Sequence, residues 1–113
     1  MFMNQRAAIQ SVLLNNTSAL VYTSPANTVA RLSSVTFTNQ SNNAVTVTVN
    51  LVKSGSAAGD ENRVINQYVI GPRESWTSPH LNHNLNPGDG MYAHADVQDV
   101  VSVYGSVIEM SRA

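Results

Sequence analysis

The stretch Ala44-Val45-Thr46-Val47-Thr48-Val49-Asn50-Leu51-Val52 decides the fold class. Val45, Val47, Val49 and Leu51 alternate with Thr46, Thr48 and Asn50. Successive side chains of a strand point to opposite faces, so this segment reads as a strand with one dry face and one wet face. β-Branched residues fill both phases, which suits a pleated backbone. No part of the chain shows a sustained helical apolar period with caps.

Upstream, residues 29–39 alternate in the same way but change phase midway. Val35 and Phe37 share one phase, while Ala30 and Leu32 sit in the other. A bulge or bend is expected around Ser33-Ser34. Gln40-Ser41-Asn42-Asn43 reads as a turn that makes the two strands hairpin partners, because Asn tolerates left-handed geometry. Residues 6–14 and 18–23 read as two shorter strands joined at Asn15-Asn16-Thr17. Ser24-Pro25-Ala26-Asn27 is a break, since Pro cannot donate to a central ladder.

Downstream, Ser54-Gly55-Ser56-Ala57-Ala58-Gly59-Asp60-Glu61 is the most loop-like stretch, with small residues and no apolar anchor. Strands are expected over 63–70, 74–81, 91–95 and 100–110. The stretch 74–81 holds the only tryptophan, Trp76. Asn86-Pro87-Gly88-Asp89-Gly90 is a strong turn signal, Pro setting one position and Gly the positive-φ one. About eight short strands with regular turn signals predict an all-β, antiparallel β-sandwich, and that number permits a jelly roll.

The chain of 113 residues suits one domain, with residues 1–5 as a candidate flexible N-terminal arm. There is no cysteine, which excludes disulfides, thiolate zinc sites and thiol nucleophiles within these residues. Charged residues make up 12% of the chain and the net charge is −1. That is about half the usual charged fraction. It leaves no electrostatic footprint for nucleic acid or an anionic membrane, and it favours association. No signal peptide and no membrane helix are expected. The sequons at Asn15 and Asn39 read as chance matches in an Asn-rich chain.

Three histidines, His80, His83 and His94, are the metal candidates. Two ligands on one strand want a spacing of two, and His80 and His83 are three apart beside prolines, so loop histidines are the simpler reading. Asp60 and Glu61 are adjacent, which is wrong for a paired acid and base, and no nucleophile elbow or phosphate loop occurs. No catalytic residue and no cofactor is assigned. Contact candidates are Phe2 in the arm, Gly55, Gly59, Asp60 and Glu61 in the loop, and Trp76. A carbohydrate-binding sandwich would use Trp76 and Tyr104 as stacking residues.

The run Tyr22-Thr23-Ser24-Pro25-Ala26-Asn27-Thr28-Val29-Ala30-Arg31-Leu32 through Asn39 resembles a recurring opening in small virion proteins of tailed bacteriophages. The Leu85-Asn86-Pro87-Gly88-Asp89 turn before Ala93 and Ala95, and the ending Gly105-Ser106-Val107-Ile108-Glu109, are similar as well. The resemblance implies a non-enzymatic virion component assembled in the cytoplasm of a bacterial host. Its first form is a capsid decoration (cement) protein that contacts the major capsid protein as a homo-oligomer, a trimer by preference. Its second is a tail-associated or head–tail junction protein. The residues themselves leave the carbohydrate-binding module open as the alternative class.

Overall fold

The computed structural model describes residues 2–111. Nine strands form: β1 (Phe2–Leu13), β2 (Ala19–Thr23), β3 (Thr28–Asn39), β4 (Val45–Val52), β5 (Arg63–Ile70), β6 (Ser75–Thr77), β7 (Asn84–Leu85), β8 (Gly90–Ala95) and β9 (Val101–Ser111). One 3-10 turn, Asp60–Asn62, precedes β5.

The strands divide into two antiparallel sheets. The first runs β1-β9-β3-β6, with β7 also on β3, and the second runs β2-β8-β4-β5. The pairings are nested: β1 with β9, β2 with β8, β3 with β6 and β7, β4 with β5. This is one long antiparallel ribbon folded over itself and closed by β9 on β3 and β8 on β4. That winding is a jelly roll. Here β6 and β7 together fill one strand position.

The dry faces meet between the sheets. Ala30, Leu32, Val35 and Phe37 of β3 and Val101, Val103 and Val107 of β9 face Val45, Val47 and Val49 of β4 and Met91, Ala93 and Ala95 of β8. All are essentially without exposed surface. At roughly 25 cal/mol per Å² of apolar surface removed from water, these faces are the main source of stability. Gly105 lies among them because a Cβ there would stand 3.2 Å from both Ile9 and Val35.

The expected phase change in β3 is a bulge. Leu32 pairs with Val107, but Ser34 pairs with Ser106, so Ser33 is the extra residue. Both Ser33 and Ser34 are exposed, and the slip keeps Leu32 and Val35 on the same dry face. Without it, half of β3 would turn its apolar residues to solvent.

Three expectations need correction. First, β3 and β4 are not hairpin partners: they lie in different sheets, and residues 40–44 arch between the layers. Asn39 holds that arch. It has no exposed surface, and its Nδ2 donates to the carbonyls of Asn43, Ile70 and Gly71 at 2.8, 3.1 and 3.0 Å. Its Oδ1 accepts from the Ser41 N–H and hydroxyl. The same geometry shuts its sequon. Second, the strand expected over 74–81 ends at Thr77. Leu81 then turns in to fill the core at 2% exposure, and the strand position resumes at Asn84. Third, within the expected arm Phe2 to Gln5 belong to the sheet, pairing with Ser111 to Ile108, and Met1 lies outside the described residues.

Asn39→Ala would leave several buried carbonyls without donors. It is expected to lower stability by about 3 kcal/mol, read from the midpoint of urea unfolding.

Candidate functional site

Three connections gather at one end of the sandwich, where the described ends of the chain also lie: residues 24–27, 53–62 and 86–89. Two of them are the Pro25 break and the Pro87 turn of the sequence. They are docked together, with the Ser24 N–H on the Asp89 carbonyl at 2.9 Å and the Gly88 N–H on the Ser24 carbonyl at 3.0 Å. Asp89 also ties in the third connection: its Oδ1 accepts from the Ser54 N–H at 2.9 Å and its Oδ2 from the Asn86 N–H at 3.0 Å. Gly88 has φ +87°, and a Cβ there would lie 2.8 Å from the Ser54 hydroxyl. Here glycine is required on both counts.

The loop 53–62, which has no apolar anchor, is fastened by amides instead. Asn50 on the outer face of β4 donates to the Gly59 carbonyl at 2.9 Å and to Asn62 Oδ1 at 2.8 Å. Asn62 in turn donates to the Ala57 carbonyl. Asn50 is 2% exposed because the loop covers it. Gly55, Gly59, Asp60 and Glu61 therefore sit on a braced loop. Asp60 is nearly fully exposed, and its pair with Arg63 at 3.2 Å adds little. Beside them an open hollow is lined by Thr23, Ser24, Pro25, Asn27 and Pro87, none of them titratable.

The remaining candidates do not join this end. Trp76 lies toward the opposite end, on the β6 edge. It stacks on Tyr68 at 3.7 Å between ring centroids and on buried Phe37 at 6.0 Å, closing the gap between the sheets. Trp76 pairs with Phe37 and so faces inward, whereas Tyr104 pairs with Thr36 and faces outward. The two cannot stack on one sugar. His80 and His83 are exposed on the loop between β6 and β7, while His94 lies on the outer face of the second sheet beside Thr48. They do not converge, and among the described residues no three metal-binding side chains gather. Burial, with the charge of Arg63, lowers the pKa of His94. The Phe2 side chain lies outside the described residues.

Reading along the chain missed one cluster, at the same end as the loops. Glu109 is 8% exposed on the dry face of β9. Arg6 of β1 donates to it twice, through Nε at 2.8 Å and through its terminal NH2 at 3.0 Å. Tyr22 of β2 donates its hydroxyl to Glu109 Oε2 from the other sheet. The three side chains staple both layers. A signal existed: Glu109 continues the phase of Val101, Val103 and Val107, so an acid was placed on a dry face. Its partners are 103 and 87 residues away in sequence and left no local trace.

The bonds from Arg6, then that from Tyr22, hold the Glu109 carboxyl below its ordinary 4.5 against the opposing effect of burial. Burial and the bond to Glu109 push the Tyr22 phenol up. A lowered carboxyl contributes stability above its unfolded pKa and loses it as the pH falls through the folded value. The melting-temperature gap between the wild type and Glu109→Gln is therefore expected to be widest at neutral pH and to narrow as the pH falls below the carboxyl's ordinary 4.5. Tyr22→Phe is expected to cost about 2 kcal/mol at pH 7 in chemical unfolding.

No protein-family model matches the sequence, and no curated protein matches it. Solved structures share its fold. A chain of the disulfide-linked pili formed by Bacillus endospore appendages superposes with a TM-score of 0.56 at 14% identity, covering 98% of this chain and 89% of that one. A chain of the T13 viral particle of IBDV gives 0.57 at 8% identity, covering 96% of this chain and 30% of that one. A chain of the infectious bursal disease virus Gx strain gives 0.57 at 9% identity, covering 96% and 32%. This chain thus spans about a third of the viral chains. At these identities the likeness is one of fold, and the absence of cysteine here leaves no counterpart to a disulfide link.

Proposed function

We propose that this chain is a non-enzymatic structural subunit of a bacteriophage virion, a capsid decoration (cement) protein that stabilises the head by lattice contacts. The observation that supports this most is the jelly roll itself, shared along 96% or more of the chain with chains of a viral particle and of a pilus. The use of its polar groups supports it too. Glu109, Asp89 and Asp96 hold loops and layers together. Arg6, Arg31 and Arg73 are each held by a side-chain acceptor. The chemistry is spent on rigidity, which suits a part that works by shape.

On this reading the braced loop over Gly55, Gly59, Asp60 and Glu61 meets the major capsid protein, and copies associate around a local symmetry axis, three by preference. A tail-associated or head–tail junction position is the alternative within the same class. The separation of Trp76 from Tyr104 removes the pairing on which the carbohydrate-binding reading rested.

The test is co-sedimentation of the purified chain with undecorated phage heads and, separately, with tails. Saturable binding to heads, with a rise in their melting temperature, is the expected result. The double variant Asp60→Arg, Glu61→Arg is expected to weaken binding roughly tenfold, about 1.4 kcal/mol, with unchanged folding. Binding to tails alone would move the protein there, and binding to neither would overturn the proposal.

A further inference from the structure

Among the described residues β1 pairs with β9 alone, so the other side of a 12-residue strand presents unpaired N–H and C=O groups. Exposed edges of this kind are normally blunted by brevity, bulges, Pro or Lys. The other outer strands follow that rule. β2 has 5 residues and a register shift, and Pro25 follows soon after it. β5 has two register shifts and Gln67 at φ 51°. β6 and β7 have 3 and 2 residues.

The first part of β1 is different. From Phe2 to Arg6 its register on β9 is unbroken, and the shifts come only beyond Arg6. This stretch holds no Pro and no Lys. Its one charge, Arg6, is matched by Glu109. One row of the outer face beside the edge is apolar: Met3, 72% exposed, stands opposite Met110 with Val29 next, while in the following row Ile108 lies between Gln5 and Arg31.

We propose that Phe2 to Arg6 pairs antiparallel, about a two-fold axis, with the same segment of a second copy, so that two first sheets become one. A two-fold centred on Asn4 sets Asn4 against Asn4, Met3 against Gln5 and Phe2 against Arg6. The two Arg6 charges then stand at opposite ends of the pair, and no like charges meet. Symmetry returns the same surface, so Met3 packs against the stem of the partner's Gln5, with the partner's Met3 on the diagonal. Backbone bonds supply the attraction, and the placement of Arg6 supplies the register. This deepens the assembly reading above by naming its partner and surface. The two-fold contact can join trimers as readily as single copies.

Because the chain lacks cysteine, single introduced thiols report the pairing. Met3→Cys, Asn4→Cys and Gln5→Cys are compared under mild oxidation with Leu13→Cys and Val69→Cys, which are exposed elsewhere. Asn4→Cys is expected to give covalent dimers roughly tenfold faster than either control, as effective concentration requires. Met3→Lys, in the chain without cysteine, is expected to reduce the mass found by light scattering and leave the melting temperature unchanged. Cross-linking no faster than the controls at all three edge positions overturns the pairing. Failure to cross-link with head binding intact counts against this pairing alone, and cross-linking without head binding counts against the virion reading alone.

Discussion

A period of two leaves no slack. One residue of slip in a strand exchanges its dry face for its wet one, and in a sandwich the dry faces are most of the stability. The bulge at Ser33 shows the constraint acting. Leu32 and Val35 are three apart and would point to opposite sides of a regular strand, yet both are buried. The extra serine absorbs the mismatch, and β3 keeps a continuous dry face along β9. Since β3 and β9 are the central strands of the first sheet, the whole layer depends on that adjustment.

A sandwich also has to carry its chain between layers without stranding backbone groups, and here polar side chains, most of them buried, do this. Asn39 closes the β3–β4 arch, Asn50 fastens the 53–62 loop, and Asp89 joins three connections. Glu109 staples the sheets through Arg6 and Tyr22. Buried polar groups are costly unless fully paired, so each such cluster favours one arrangement over its neighbours. A chain with 12% charged residues thus obtains specificity from short polar side chains.

The same economy bears on function. On the proposed reading, a body with little net charge and braced loops works by packing against other surfaces. The likeness to chains of a pilus and of a viral particle is a likeness of fold, and the proposal of a phage virion draws on the turn motifs as well. Those motifs have a structural role of their own, since the Pro25 turn and the Pro87 turn are bonded to each other.

The sequence by itself determined what is local. Alternation located β3, β4 and β9, the phase change announced the bulge, and Pro and Gly marked the breaks. The tertiary structure alone decided what is distant. Two alternating strands joined by a polar turn look the same whether they pair or face each other across the core, so the supposed β3–β4 hairpin is an arch between sheets. Leu81 left its strand because the core had space to fill. His94 was sent to the second sheet, away from the loop that carries His80 and His83, and Arg6 met Glu109 across almost the full length of the chain. Periodicity reports which face of a strand is dry. Only packing decides which other face it meets.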